Sequence, residues 1–173
     1  DDEVFARLEE LLPVNFGNAN KDAKLYTIVL DISRSMNDTS QLIVAKDAAM
    51  KLLSILGDDD YVAYITLAGE CRIEQTPARL GDIRQELYEK IQSAMPTQGT
   101  FIGEALRMAH THMKDLDYGE KQVMLISDGK TFTNEPEDAA EYLRTKFYGE
   151  KKEVFYLLCL DASGNLLNCC KLA

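Results

Sequence analysis

The chain has no uninterrupted apolar run near the roughly 20 residues a membrane-spanning helix needs, so this segment is not expected to insert into a bilayer. It has no surplus of positive charge. Nineteen basic residues face 29 acidic ones, for a net charge of −10. Nucleic acid and anionic membrane surfaces, which call for clustered cations, are not expected as partners. Its four cysteines, Cys71, Cys159, Cys169 and Cys170, lack the paired C-x₂-C spacing of a zinc site. Cys159 sits inside the apolar run VFYLLCL and reads as a small buried hydrophobe. Only two histidines occur. His110 and His112 are two apart on an expected helix and face different directions, so they do not form a ligand pair. Also missing are a G-x-S-x-G elbow, a P-loop and a G-x-G-x-x-G fingerprint. No general base stands beside a nucleophile, and the chain is not expected to be an enzyme.

What remains is 173 residues that are 46% hydrophobic, enough for one well-packed core. The chain starts at Asp1 without a Met or a signal-like segment. It is therefore read as a piece of a longer protein, whose anchor and localisation lie beyond the reading. Residues 1–20 are expected to form a short helix, 3–12, and a polar linker, with the main domain over 21–173. The helix places Val4, Leu8, Leu11 and Leu12 on one face and stops at Pro13.

From Leu25 onward, strands and helices alternate. LYTIVL at 25–30, YVAYITL at 61–67, QVMLIS at 122–127 and VFYLLCL at 154–160 are apolar runs suited to strands covered on both faces. CRIEQT at 71–76 alternates like an edge strand and follows a tight turn. Helical periodicity marks 41–56, a helix opened at Asp82 with Gln85 as capping-box partner, 102–113, and a helix beginning near Pro136. SGNLLNCCKLA is expected to start one more helix. The aspartates at 58–60 read as a solvated turn, and Met95, Met108 and Met113 as packing residues. Glu135, Glu137 and Asp138 read as an acidic helix N-terminus. The pattern predicts a three-layer α/β/α sandwich, Rossmann-like and doubly wound. Its sheet should be mostly parallel, with one antiparallel edge strand.

The first buried strand ends in DISRS. In such a sheet, ligands bind beyond the C-terminal strand ends, where the strand order reverses. Asp31 and Asp128 each close a strand. Ser33 and Ser35 follow Asp31, and Thr100 follows a glycine that permits an unusual backbone turn. Two carboxylates and three hydroxyls form a hard-oxygen donor set. It suits magnesium or manganese, with calcium a further candidate, better than zinc.

These residues resemble a known signature. Asp31-Ile-Ser33-Arg34-Ser35, then GTFIGEAL around Thr100, then LISDG around Asp128, are similar to the D-x-S-x-S … T … D pattern of von Willebrand factor type A domains. ELLPVNF at 10–16 is similar, more loosely, to the lead-in found in some bacterial membrane-associated members. The resemblance implies a metal-ion-dependent adhesion site with Ser33, Ser35 and Thr100 as hydroxyl ligands. Asp31 and Asp128 would act directly or through water. A partner protein would supply a Glu or Asp to the metal. Two departures stand out: Arg34 replaces the family's usual Gly, and the family adds a sixth strand and a closing helix beyond the point where this chain stops. The competing readings are a structural assembly module with a vestigial, metal-free site, and a metal-dependent phosphoryl-transfer enzyme.

Overall fold

The computed structural model describes residues 24–37, 41–116, 118–128, 156–161 and 166–171, the last two segments as backbone only. The expected helices at 3–12 and 136–147, the 1–20 linker and the acidic residues 135–138 lie outside them. Strand β1 (Lys24–Asp31) is followed by a 3₁₀ turn at Arg34–Asn37 and helix α1 (Gln41–Ile55). Then come β2 (Tyr61–Leu67), β3 (Arg72–Arg79), α2 (Leu80–Ser93), α3 (Ile102–Met113), β4 (Glu120–Ser127), β5 (Tyr156–Asp161) and β6 (Leu166–Lys171). One sheet holds all six strands in the order β3-β2-β1-β4-β5-β6.

The four-stranded body matches the expectation. β1 lies parallel to β2 on one side and to β4 on the other, and β3 is the antiparallel edge. Alternate residues of β1 enter two separate cores. Tyr26, Ile28 and Leu30 pack with α1 and α2. Leu25 and Val29 pack with α3 through Ile102, Ala105, Ala109 and Met113. Burial on both faces is why these strands read as continuous apolar runs rather than alternating ones. Edge strand β3 carries Pro77 between the paired positions Gln75 and Ala78, at a register shift. A residue with no N–H to donate is tolerated there.

Three expectations fail locally. Residues 166–171 form a strand antiparallel to β5, not a helix, and β5 itself runs antiparallel to β4. Asn and Cys are poor helix formers, and the four residues between the strands contain Ser-Gly-Asn, a composition suited to a short connection between antiparallel neighbours. Helix α2 opens at Leu80, two residues early, with Arg79 at its N-cap and no side-chain cap. Gln85 Nε2 donates to Glu89 Oε1 at 3.0 Å, so no capping box forms. The aspartates at 58–60 form the solvent-facing turn expected of them, and each is also engaged there. Asp58 takes a 2.7 Å bond from Arg84, Asp59 pairs with Arg79, and Asp60 accepts the Gly57 N–H at 2.9 Å. Arg84 also donates to the Leu53 and Leu56 carbonyls at the end of α1. A cation on those exposed helix carbonyls closes the turn. Among the described residues no helix is long and apolar enough to cross a membrane.

Candidate metal centre

Strand order reverses between β1 and β4, because the chain leaves β1 for β2 on one side and returns to β4 on the other. Asp31 closes β1 and Asp128 directly follows β4, so the two carboxylates share that crevice. Both are buried, at 0% and 3% exposure. The Ser33 N–H donates to Asp31 Oδ1 at 2.8 Å, and the Ser127 hydroxyl donates to Asp31 Oδ2 at 2.5 Å. Burial lifts the Asp31 carboxyl from its ordinary 3.8 to about 6. The bonds from Ser127 and Ser33 oppose the rise, and the charge of nearby Asp128 adds to it. A carboxylate this dry is stabilised by a bound cation.

Ser33 is fully buried and Ser35 half-buried. Their Oγ atoms lie 2.9 Å apart and share a hydrogen bond, so the two hydroxyls stand side by side. This separation offers a test of fit. A cation with octahedral oxygen ligands at 2.0–2.1 Å holds adjacent oxygens about 2.9 Å apart. The donor set also fits, being carboxylate and hydroxyl with no thiolate or imidazole. Among the described residues no group of three or more His, Cys, Asp or Glu stands together as an alternative centre. His110 and His112 lie in the last turn of α3, away from Thr100 at its other end.

Thr100 is fully buried. Its loop is tied to the segment just after β1 at Thr97, which forms a bridge with Ser33 and whose N–H donates to Ile32 O at 2.8 Å. A second tie comes from the turn after β2, where the Gly69 N–H donates to Gln98 O at 2.6 Å. Gly99 adopts φ +85°, the left-handed conformation anticipated for it, in which a side chain is strained. A Cβ on Gly69 would meet Gln98 O at 2.4 Å, and one on Gly99 would meet Gly69 Cα at 2.4 Å. Two glycines thus let the Thr100 loop lie directly on the β2–β3 turn.

Ser127 and Thr97 were not singled out in the sequence, and Gly69 only as part of the tight turn before 71–76. Strand register places Ser127: Leu30 pairs with Ile126, so the next residues, Asp31 and Ser127, fall side by side. The roles of Thr97 and Gly69 depend on tertiary contact and have no local signal. Arg34 is exposed rather than packed among the oxygens. Met95 is 73% exposed and not a packing residue. It precedes Pro96 in the connection after α2, where the backbone is directed away from the helical path. The half-buried Cys71 thiol is pushed up to about 11, first by burial and then by Glu104, with the Ala68 backbone opposing and Asp31 adding. Its Sγ lies 3.8 Å from Phe101 O, in the connection that carries Thr100.

A family model of the von Willebrand factor type A domain matches residues 26–130, which span β1 to just past Asp128. The chain belongs to the von Willebrand factor type A family. Solved structures agree on the fold. BatB from Bacteroides thetaiotaomicron is 22% identical, with 87% of this chain covering 81% of that one at a TM-score of 0.56. The three N-terminal domains of the type V pili tip protein Mfa5 from Porphyromonas gingivalis are 20% identical at a TM-score of 0.57. There the match covers 64% of this chain and 20% of that one. The PilB minor pilin from Streptococcus sanguinis is 16% identical, at 62% and 30% coverage and a TM-score of 0.54. This chain therefore spans a fifth of the Mfa5 fragment and under a third of PilB. Comparison with curated proteins returns no match.

Proposed function

We propose that this von Willebrand factor type A domain is a protein-binding module that works through a divalent cation, magnesium or manganese before calcium. The observation that carries the reading is the pairing of the Ser33 and Ser35 hydroxyls, 2.9 Å apart, in the loop held by the buried Asp31 carboxyl. Ser33, Ser35 and Thr100 offer hydroxyl oxygens, and Asp31 and Asp128 offer carboxylates directly or through water. Asp31 has a second task. By accepting the Ser33 N–H it fixes the loop on which both serines ride. When bound, the cation supplies a Lewis-acidic point that accepts an anionic oxygen. Neutral hydroxyls in much of the ligand set leave it charge to share with a Glu or Asp of a partner protein. Likeness in fold to a pilus tip protein and a minor pilin supports protein partners over turnover of a small molecule. The exposed position of Arg34 supports an accessible metal position over a blocked one.

Isothermal titration with Mg²⁺ and Mn²⁺ tests the reading. The wild-type chain is expected to bind one ion per molecule, and Asp31→Ala and Thr100→Ala to lose that binding. No heat of binding by wild type at millimolar metal contradicts it.

A further inference from the structure

Helices α1 and α2 lie antiparallel on one face of the sheet and are joined at two levels. Lys46 Nζ donates to Gln92 O at 2.7 Å, and Arg84 Nη2 donates to Leu56 O at 3.0 Å. Between these ties runs an open groove of about 390 Å³. Its α2 wall is a single row at i, i+3, i+4 and i+7: Gln85, Tyr88, Glu89 and Gln92. Met50, Lys51 and Ser54 of α1 line the other side, off the buried stripe of Ala45, Ala48, Ala49 and Leu52.

The floor of the groove is apolar. Met50 and Tyr88 are half-buried and pack on the core beneath. The polar rim is engaged within itself. Lys51 pairs with Asp47 at 3.0 Å, Ser54 Oγ donates to Lys51 O at 2.7 Å, and Gln85 donates to Glu89 at 3.0 Å. Such a lining suits an apolar stripe better than a polar small molecule.

The chain carries a segment that fits. The spacing of Val4, Leu8, Leu11 and Leu12 predicts a helix over 3–12 with one apolar face, which needs a surface to cover it. Ten helical residues measure about 15 Å, and ten residues also separate Lys46 from Leu56 between the two ties. Residues 13–23 join this segment to β1 and reach up to about 36 Å when extended. They enter the sheet at the end where Arg84 closes the helix pair, since Leu25 pairs with Tyr61, just past the turn after α1. Charge agrees as well. Arg7 and Glu9 flank the apolar stripe on opposite sides, as Glu89 and Lys51 flank the groove.

We propose that residues 3–12 lie as an amphipathic helix in the α1–α2 groove of the same chain. Val4, Leu8 and Leu11 cover Met50 and Tyr88, with Arg7 toward Glu89 and Glu9 toward Lys51. The contact is independent of the metal. It completes a three-helix layer and holds the lead-in of the domain on the face opposite α3.

The test uses the full chain, with amide hydrogen exchange of 3–12 and peroxide oxidation of Met50, both read by peptide mass mapping. Met95, at 73% exposure, is the internal reference for oxidation. In wild type, the 3–12 amides are expected to exchange at least about 10-fold more slowly than open chain, equivalent to about 1.4 kcal/mol. Leu8→Asp/Leu11→Asp should remove that protection and raise Met50 oxidation, relative to Met95, about 5-fold. Met50→Asp should also expose 3–12 while β1, β2 and β4 stay protected, which shows that it folds. The Leu8→Asp/Leu11→Asp arm decides even where Met50→Asp does not fold. Open-chain exchange of 3–12 in wild type overturns the contact. So does protection that survives in folded Met50→Asp, or Met50 oxidation unchanged by Leu8→Asp/Leu11→Asp. Protection that fades on dilution assigns the groove to the segment of a second copy and overturns the arrangement within one chain.

Discussion

Gly69 and Gly99 carry little chemistry, yet the position of Thr100 rests on them. Replacing Gly69 with Ala puts a Cβ 2.4 Å from Gln98 O, where real Cβ atoms stay beyond 3.0 Å. The loop must therefore withdraw by at least the 0.6 Å difference (3.0 − 2.4). The 2.6 Å bond from the Gly69 N–H to Gln98 O goes with it, at a net cost of about 1 kcal/mol. Gly99→Ala meets the Gly69 backbone at the same 2.4 Å and adds a φ of +85°, which costs an L-residue about 1–2 kcal/mol. Either change should destabilise the domain by about 2–3 kcal/mol. For a chain of this size that lowers Tm by roughly 4–12 °C. Because the displaced strand of loop carries Thr100, metal affinity should fall about 10- to 100-fold, as for other losses of support around a ligand. Gly57→Ala is the control. Its new Cβ would meet only the flexible Asp60 side chain, at 3.3 Å, and its cost should stay under about 1 kcal/mol. Thermal unfolding with and without Mg²⁺ reads both effects. If Gly69→Ala and Gly99→Ala behave like Gly57→Ala in stability and in metal response, the two-glycine contact does not position Thr100.

Without metal, the folded chain holds a proton on Asp31 up to about pH 6, against 3.8 for the ordinary carboxyl. The folded state binds more protons in that window, so stability falls as pH rises from about 4 to about 6 and then levels off. Two pKa units correspond to at most about 3 kcal/mol. Asp31→Asn should remove this slope in EDTA, match or exceed wild-type stability at pH 7, and lose the stabilisation by Mg²⁺; parallel pH profiles from urea unfolding would contradict this. Gln41, in the first turn of α1, is 2% exposed, and among the described residues neither its Nε2 nor its Oε1 has a partner. Gln41→Leu should therefore stabilise the chain by about 1–2 kcal/mol, and a loss of stability on chemical denaturation would show that the amide is satisfied. The Cys71 thiol, pushed up to about 11, should be alkylated by iodoacetamide at pH 8 far more slowly than a free cysteine, as read by peptide mass mapping. Reaction at the free-cysteine rate would mean that the thiol is not shielded.

The body of the fold was legible where burial on two faces left a continuous signature. β1, β2 and β4 were each recognised from their apolar runs, and α1 and α3 from apolar residues at helical spacing. The approach of Asp31 to Asp128 followed from topology alone, since both close strands that flank the reversal. Less legible was everything decided by tertiary contact. Nothing local marks Arg84 as the group that closes α1, or the three aspartates as its partners and neighbours. LLNCCK has an apolar content compatible with either helix or strand, and pairing with β5 decided it. Met95 matches other methionines in composition, and only its place beside Pro96, outside both cores, separates it from Met113. Of the candidate site, the oxygen-bearing residues at the strand ends were readable, but the hydrogen bond from Ser127 and the glycine contact beside Thr100 were not.

The central claim is that Ser33 and Ser35 turn their hydroxyls to one cation held over Asp31. Crystals of the chain grown or soaked with Mn²⁺ test it most directly, through the anomalous signal of the ion. The account predicts a single strong peak 2.0–2.3 Å from both Ser33 Oγ and Ser35 Oγ, within one water of Asp31, Thr100 and Asp128. A crevice without a peak at saturating Mn²⁺, or a peak held elsewhere on the chain, contradicts it.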